Sequence, residues 1–178
     1  MEPIVLVGMM GAGKTTIGKA LAARHGLSFV DADEALEART GVPIPLIFEL
    51  EGEAGFRDRE ARLLDELLAK EDLVIATGGG AVTRAENRLR FKRRGVVVYL
   101  EAPLEVLWER LQYDRTRPLL QVPDPKARLQ ALLAERDPWY REVADLIVPT
   151  RDGRLSAVVQ TLEEALVAYG VPLPATSA

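Results

Sequence analysis

The feature that most constrains this chain is a glycine-rich segment near its start, GMMGAGKT at residues 8–15. It matches the pattern GxxxxGK[ST], in which backbone N–H groups surround phosphate oxygens, the lysine reaches the β- and γ-phosphates and the hydroxyl binds Mg²⁺. The segment follows an apolar run, Ile4–Val7, and precedes a helical pattern, Thr15–Arg24, which is the context that the motif requires. The sequence therefore predicts a nucleoside triphosphate site built around Lys14 and Thr15.

Short β-branched runs alternate with helical patterns along the rest of the chain. This alternation predicts an α/β fold, a three-layer sandwich with a five-stranded parallel sheet between helices. Strands are predicted at Ile4–Val7, Phe29–Asp31, Leu73–Thr77, Val96–Leu100 and Leu146–Val148, and helices at Thr15–Arg24, Glu60–Leu68, Pro103–Leu111, Pro125–Arg136 and Ser156–Tyr169.

Two stretches interrupt this alternation. Asp33–Arg59 contains several glycines and prolines and predicts a small helical insertion, whereas Gln112–Pro125 predicts a mobile loop. We expect one domain over residues 1–170, with the insertion at about 33–60 and a lid at about 112–125. A frayed tail is expected over 171–178.

Composition excludes several classes of protein. The 178 residues are 48% hydrophobic and 28% charged, as in globular proteins. Cysteine is absent and His25 is the single histidine, which excludes thiol chemistry and metal sites that need several thiolates or imidazoles. The net charge of −4 argues against general nucleic-acid or membrane-surface binding, and no segment is long enough to span a membrane. A cytoplasmic protein is expected.

Two carboxylates, Asp31 and Asp33, stand at the end of the second predicted strand. If the strand geometry persists, both project to one side, at the edge where ligands of open α/β sheets bind. One would suit a magnesium-associated group, and the other a group that orients a hydroxyl or receives its proton. The alternative is a solvated strand end that caps a helix.

Three further patterns suggest an anion site. Arg57 and Glu60 are three residues apart on a helix, so Glu60 can hold the guanidinium, although a surface ion pair has the same spacing. The glycines at 78–80 predict a sharp turn or a close approach to a ligand. Arg136 shares a helical stripe with leucines, so it needs a partner, either an internal carboxylate or an anionic ligand. Pro138 is expected to end that helix soon afterwards.

Arginines also stand in the predicted lid. Arg115 and Arg117 are of the kind that stabilise charge in a phosphoryl-transfer transition state when a phosphate loop is near. Mobile arginines are also common on solvated loops, and that alternative stays open for these two residues taken alone.

Together these segments resemble the shikimate kinase family, a group of phosphate-loop kinases related to the nucleoside monophosphate kinases. The resemblance extends from Ile4 to about Ala165. The segments that carry it are GMMGAGKTTIG at 8–18, DAD at 31–33, FRDRE at 56–60, ATGGGAV at 76–82, RTRPLL at 115–120 and ERDPWY at 135–140.

The resemblance implies transfer of the γ-phosphoryl group of ATP to the 3-hydroxyl of shikimate, giving 3-phosphoshikimate and ADP in the route to chorismate and the aromatic amino acids. It implies that two arginines grip the shikimate carboxylate and that the insertion contributes to the substrate site. The implied substrate-binding residues are Asp33, Arg57, Gly79 and Arg136, with Glu60 positioning Arg57 and with Gly78 and Gly80 beside them.

On the nucleotide side, the resemblance implies ATP binding with Mg²⁺, and Asp31 would hold the metal through water. The implied nucleotide-binding residues are Gly11, Ala12, Gly13, Lys14, Thr15, Thr16, Arg110 and Arg117; those implied for Mg²⁺ are Thr15 and Asp31; those implied for catalysis are Asp33, Lys14 and Arg117. Thr150–Leu155 occupies the place of the adenine-contacting loop. The neighbouring arginines are expected to favour the ionised form of Asp33.

Alternatives remain at this point. Gluconate kinases and nucleoside monophosphate kinases share the architecture, but two arginines fit a carboxylate acceptor, the triple glycine favours shikimate over gluconate in family terms, and the insertion offers few basic or stacking residues for a nucleotide. An inactive nucleotide-binding scaffold would be expected to lack the lid arginine or the aspartates. The sequence argues against a guanine-nucleotide switch, because the guanine-reading motif NKxD needs an asparagine followed by lysine, and the single asparagine, Asn87, is followed by Arg88. The family resemblance suggests a monomer.

Overall fold

The computed structural model describes residues 1–151 and 153–177. Its centre is a sheet of five parallel strands in the order β2-β3-β1-β4-β5. The strands are β1 (Ile4–Val7), β2 (Ser28–Asp31), β3 (Leu73–Ala76), β4 (Val96–Glu101) and β5 (Leu146–Pro149). The predicted five-stranded parallel sheet is confirmed, with each strand boundary within one residue of its predicted place.

Helices cover both faces of this sheet. They are α1 (Lys14–His25), α2 (Ala32–Thr40), α3 (Ile44–Leu68), α4 (Ala85–Arg94), α5 (Leu104–Leu111), α6 (Pro125–Val143) and α7 (Leu155–Tyr169). Two 3₁₀ turns, Ala81–Thr83 and Pro118–Leu120, complete the described elements. The insertion consists of α2 and the first part of α3, which is interrupted at Gly52, where φ is 71° and ψ is 178°.

The central strands are short, continuous apolar runs in the sequence because of their place in the fold. All residues of β1 and β3 are buried, because helices pack on both faces of the sheet. Strand β1 lies between β3 and β4, so successive crossovers leave it in opposite directions. Ligands of such sheets bind at the carboxyl ends of the strands beside this reversal point. The phosphate loop follows β1 and therefore lies at this place.

Three helices differ from the prediction. Helix α3 begins at Ile44 rather than near Glu60, so it takes in the second part of the predicted insertion. Helix α4 was not predicted, because the segment AENRLRFKRR is mostly charged and buries only Asn87 and Phe91. Helix α6 does not end near Pro138 but continues to Val143. Proline in a helix interior costs about 3 kcal/mol, and burial of Tyr140 and Val143, each worth roughly 2 kcal/mol, offsets this cost.

The end of the described chain also differs from the frayed tail expected over 171–178. Val171 is buried, and the backbone N–H of Ser177 donates to the carbonyl of Arg24 at 2.8 Å. The His25 ring lies 2.6 Å from the carbonyl oxygen of Pro174. Residues 171–177 therefore pack against the C-terminal end of α1, while Ala178 lies outside the described residues. No helix in the described ranges is both long and apolar enough to cross a membrane.

Candidate active site

The phosphate loop takes a shape that its glycines make accessible. Gly8, Gly11 and Gly13 have φ values of 148°, 83° and 96°, a region in which side chains are strained. At Gly8 a Cβ atom would also lie 2.7 Å from the carbonyl oxygen of Leu100. The loop passes directly into α1, so the free N–H groups of a helix N-terminus face the same space, as an anion site requires.

Lys14 is buried inside this loop. Its Nζ donates to the carbonyl oxygens of Gly8 and Met9 at 2.6 and 2.8 Å. The pKa of Lys14 is lowered to about 7, chiefly by burial and also by the nearby Arg117 charge, while Asp33 and Asp31 act against the shift. Anionic phosphate oxygens beside Lys14 would favour its charged form.

Asp31 caps a helix, as one of the two alternatives from the sequence allowed, and also contacts the phosphate loop. Its Oδ1 accepts from the backbone N–H of Glu34 at 3.0 Å and so caps α2. Its Oδ2 accepts from the hydroxyl of Thr15, which joins the end of β2 to the phosphate loop. Asp33, in contrast, does not extend the strand. It lies in the first turn of α2, so the expected strand geometry is wrong beyond Asp31.

The oxygens of Thr15 and Asp31 suit magnesium. Mg²⁺ prefers hard oxygen ligands, keeps several waters, and typically takes one or two protein groups together with substrate phosphates. Within residues 1–151 and 153–177 no three His, Cys, Asp or Glu side chains form a cluster that could hold a metal alone. The donor set therefore fits a magnesium ion that arrives with a nucleotide.

A cavity of about 420 Å³ opens over the phosphate loop. It is lined by all of the predicted nucleotide-binding residues, namely Gly11, Ala12, Gly13, Lys14, Thr15, Thr16, Arg110 and Arg117. The cavity is also lined by three residues of the predicted adenine-contacting loop, Thr150, Gly153 and Leu155. Val158 lines it too, although the sequence did not predict a role for this residue. The predicted adenine loop thus borders this cavity, although Asp152 lies outside the described residues. Arg110 is held there by donating to the carbonyl of Gly11 at 2.7 Å.

A second cavity, of about 740 Å³, adjoins the first. The two share Asp31, Asp33 and Arg117. The second cavity is also lined by Arg57, Arg136 and the three glycines at 78–80. The structure therefore brings the predicted anion-binding residues together next to the phosphate loop.

Arg57 is fixed by carboxylates below the cavity floor. Its Nη1 donates to Oε1 of Glu60 at 2.9 Å, and Oε1 of Glu53 lies 3.6 Å from Nη2. Both members of the Arg57–Glu60 pair are buried, so the alternative of a surface ion pair is wrong. Burial raises the pKa of Glu60 to about 7, and the Arg57 guanidinium acts against this rise.

Arg136 is buried without a carboxylate partner. It is 2% exposed, and its Nε and Nη1 atoms have no hydrogen-bond partner in the described part of the chain. Burial lowers the pKa of this guanidinium below its ordinary value. A buried, unpaired charge is costly unless a ligand compensates for it. Of the two partners open to Arg136, the internal carboxylate is absent among the described residues, which leaves an anionic ligand.

The three glycines make room for the charged side chains of the second cavity. A Cβ atom at Gly78 would lie 2.8 Å from Oδ1 of Asp33 and from Oε2 of Glu60. At Gly80 a Cβ would lie 2.0 Å from Nη2 of Arg57. None of the three has a positive φ, so a strained turn is not their reason. Gly78 and Gly80 are needed because polar side chains approach the backbone closely, whereas at Gly79 a Cβ would lie 3.2 Å from the backbone nitrogen of Met10.

The expected effect of the arginines on Asp33 is present for Arg57, which favours the ionised form, but other influences outweigh it. The pKa of Asp33 is raised, because the carboxyl is buried and lies near the charge of Asp31. Lys14, Arg117 and Arg57 lower it by less. The sequence placed the arginines correctly but gave no measure of how far the carboxyl is removed from water.

Residues of the predicted lid border both cavities. Arg117 lines both, and its Nε donates to Oδ2 of Asp114 at 3.2 Å. Arg115 lines the second cavity only. Both residues therefore border the site, but Arg115 is exposed, so the alternative of a solvated loop residue stays open for it.

Sequence reasoning missed the apolar wall of the second cavity and one polar anchor. Ile44, Pro45, Phe48 and Phe56 form this wall, and the rings of Phe48 and Phe56 are 4.8 Å apart. The anchor is Tyr140, whose hydroxyl donates to the carbonyl of Gly79. Its position one turn after Arg136 was the signal available for it.

The parallel sheet, the phosphate loop and the adjoining anion cavity define a nucleotide-dependent kinase of the phosphate-loop class. Comparison with known proteins narrows this class. The shikimate kinase family profile matches residues 10–167. A shikimate kinase from Aromatoleum aromaticum is 57% identical over 163 residues, covering 92% of this chain and 93% of that protein.

A solved structure of shikimate kinase from Acinetobacter baumannii in complex with shikimate superimposes with a TM-score of 0.93. It is 47% identical, and the match covers 96% of both chains. A gluconokinase from Sinorhizobium meliloti, 19% identical with a TM-score of 0.58, shares the fold alone. The chain belongs to the shikimate kinase family.

Proposed function

We propose that this protein transfers the γ-phosphoryl group of ATP to the 3-hydroxyl of shikimate, producing 3-phosphoshikimate and ADP. The observation that carries the proposal is Arg136, a buried guanidinium with no carboxylate partner among the described residues, beside Arg57 in a cavity that adjoins the phosphate-loop cavity at Asp33. This pair suits a small acceptor that bears a carboxylate, because planar guanidinium groups bind carboxylates through two hydrogen bonds.

The nucleotide occupies the cavity over the phosphate loop in this proposal. The backbone of residues 11–16 surrounds the β- and γ-phosphates, and Lys14 contributes a positive charge. Thr15 and Asp31 would hold Mg²⁺, which when bound neutralises charge on the phosphates. Arg110 and the loop around Gly153 border the far end of this cavity, where the adenine lies.

Asp33 lies where the two cavities meet, so it faces the acceptor hydroxyl and the γ-phosphate together. As the new P–O bond forms and the bond to ADP breaks, the hydroxyl proton passes to the Asp33 carboxylate. The transition state is loose, so the carboxylate mainly orients the hydroxyl and receives its proton late. Lys14 and Arg117 stabilise the charge that develops on the transferred group.

Different segments of the chain supply the residues that bind the acceptor and those that stabilise the transferred phosphate. The insertion at about 33–60 supplies Arg57, Glu60 and the apolar wall, and the lid at about 112–125 supplies Arg117. Closure of the lid over both substrates would exclude water and limit wasteful ATP hydrolysis. A single kinase domain over residues 1–170, acting as a cytoplasmic monomer, is part of the proposal.

A screen of acceptors tests the proposal. ADP release is measured with ATP and Mg²⁺, alone and with shikimate, gluconate, AMP or CMP. Strong stimulation by shikimate alone is the expected result. Stimulation by another acceptor would keep the phosphate-loop chemistry and overturn the assignment of the second cavity. Measurable ATP binding without stimulation by any acceptor would favour the inactive scaffold.

A further inference from the structure

The turn at Gly78–Gly80 presents its backbone in an unusual way. All three of its carbonyls accept hydrogen bonds inside the protein: Gly78 from the N–H of Ala81 at 3.1 Å, Gly80 from the N–H and hydroxyl of Thr83 at 3.1 and 2.7 Å, and Gly79 from the hydroxyl of Tyr140. The three N–H groups have no acceptor among the described residues. The turn therefore offers only donors to a ligand.

The bond to Gly79 differs from the other two because it comes from a distant part of the chain. Gly78 and Gly80 are satisfied by residues three positions further on, as a tight turn provides by itself. Tyr140 is 61 residues away, on α6, and is fully buried. Burial raises the pKa of Tyr140 to about 12, so its hydroxyl stays protonated and remains a donor near neutral pH.

This bond fixes the direction of the next N–H group. The described chain has no cis peptide bonds, so the N–H of Gly80 points opposite to the carbonyl of Gly79. Gly79 and Gly80 line the acceptor cavity, whereas Tyr140 does not. A Gly79 carbonyl held toward Tyr140 therefore turns the Gly80 N–H toward the cavity.

We propose that Tyr140 is a positioning residue for the acceptor: its hydroxyl holds the Gly79–Gly80 peptide so that the Gly80 N–H donates to an oxygen of the bound acceptor. Tyr140 does not touch the acceptor and acts through the turn. The inference rests on the proposed function, since it takes the second cavity as the shikimate site. The same helix carries Arg136, so α6 contributes a charge to the cavity and, through Tyr140, orients a backbone donor of the glycine turn.

Tyr99 provides a matched control. It is 1% exposed, its ring lies 5.0 Å from that of Tyr140, and its hydroxyl donates to Oδ1 of Asp137 at 2.7 Å, away from the glycine turn. Tyr140→Phe and Tyr99→Phe each remove one hydrogen-bonded tyrosine hydroxyl from the same cluster. A merely structural effect would therefore appear in both variants.

The test measures the KM values for shikimate and ATP, with thermal unfolding as a check on folding. Tyr140→Phe is expected to raise the KM for shikimate by about three- to tenfold, the range of one hydrogen bond, and to leave the KM for ATP within about twofold. Tyr99→Phe is expected to leave both values unchanged. An unchanged shikimate KM in Tyr140→Phe, or an equal rise in both variants, would overturn the inference.

If Tyr140→Phe folds poorly, a measurement on the unmodified protein still tests whether the Gly80 N–H contacts the acceptor. In ¹⁵N-labelled protein, the amide signal of Gly80 is expected to shift on addition of shikimate, and no shift would overturn the inference. If the unmodified protein releases no ADP in response to shikimate, the proposed function fails and takes the inference with it. If it responds and Tyr140→Phe matches it, the inference alone fails.

Discussion

Burial of the Arg136 guanidinium is expected to lower the stability of the free protein, and in the proposed function the same group binds the acceptor. Its guanidinium is 2% exposed and has two nitrogens without partners in the described structure. Arg57 resembles it in burial but is balanced by Glu60 at 2.9 Å. A residue retained in such a position is explained by the ligand that completes it, because stability and function are often in conflict at binding sites.

Replacing Arg136 with methionine separates these two effects. Arg136→Met is expected to raise the free energy of unfolding by about 1–4 kcal/mol, as when buried charges give way to apolar side chains of similar volume. The same change is expected to lower kcat/KM for shikimate by at least about 100-fold. Chemical denaturation and steady-state kinetics measure the two quantities.

Arg141→Met is the control for this experiment. Arg141 is half exposed on the same helix and pairs with Asp137 and Glu101. Its replacement should leave kcat/KM unchanged and should not stabilise the protein. If Arg136→Met destabilises the ligand-free protein, the guanidinium has an internal partner, and the argument for an anionic ligand loses its main support.

Asp33 gives a prediction about turnover. Asp33→Asn keeps the shape of the side chain but removes the group that orients the hydroxyl and receives its proton. ATP binding should be retained while kcat falls by on the order of 100-fold or more, the range of general-base contributions. Isothermal calorimetry with ATP and a coupled ADP assay check the two halves. Near-normal turnover would exclude the proposed role of Asp33.

Glu60 makes stability depend on pH. Its pKa is raised by burial from 4.5 to about 7, so the folded protein holds this proton more tightly than the unfolded chain does. The stability that this contributes is present in full below pH 4.5 and is lost as the pH rises through about 7. The test compares the melting temperatures of the unmodified protein and Glu60→Gln from pH 5 to 8. As the pH rises, the melting temperature of the unmodified protein should fall by more than that of Glu60→Gln.

Between the two ends of this pH range, the difference in free energy of unfolding between the two proteins should change by on the order of 2 kcal/mol. A difference between the two proteins that stays constant with pH would mean that Glu60 remains ionised throughout. That result would make the pair with Arg57 an ordinary buried ion pair.

At the scale of single residues, the sequence predicted which groups meet but not how the protein surrounds them. Spacing placed Arg57 beside Glu60, and periodicity put Arg136 on the buried face of its helix. The raised pKa of Asp33 and the bond from Tyr140 to Gly79 depend on burial and on contacts between distant segments. Neither the burial of Asp33 nor the contact between Tyr140 and Gly79 can be predicted from local sequence patterns.

The elements of the fold differ in how strongly local sequence determines them. The strands are short apolar runs between turns, so their positions could be predicted to within one residue. Helix α4 is charged over most of its surface, so packing against its neighbours determines it rather than a local apolar pattern. Helix α6 crosses Pro138 because Tyr140 and Val143 pack behind it. Tertiary packing overrides local preference at these two helices.

The C-terminal segment 171–177 is a second case in which packing decides. It was expected to fray, but Val171 is buried and Ser177 bonds to the end of α1. Ending the chain at Gly170 should lower the free energy of unfolding by about 2–3 kcal/mol, the sum of one buried valine and one or two hydrogen bonds.

The same truncation should leave kcat and both KM values unchanged. The segment contacts the C-terminal end of α1, which has 12 residues, so its contacts lie about 18 Å from the phosphate loop. Thermal unfolding and steady-state kinetics of the truncated protein check both statements. An unchanged melting temperature would mean that the segment contributes nothing in solution.

At the scale of the whole molecule, the proposed reaction uses two cavities that are both lined by Asp31 and Asp33. The phosphate loop after β1 forms one, and the insertion, the glycine turn after β3 and helix α6 form the other. The parallel sheet makes this possible, because the carboxyl ends of β1, β2 and β3 lie side by side at one edge. An acceptor and a triphosphate bound in these cavities would meet at Asp33.

The position of the transferred phosphate tests this account most directly. The product formed from ATP and shikimate is examined by phosphorus NMR with proton correlation. The account predicts one new phosphomonoester signal that couples to the proton at carbon 3 and appears in equal amount with ADP. Inorganic phosphate as the product, or an ester at another hydroxyl, would contradict the proposed arrangement of shikimate between Arg136 and Asp33.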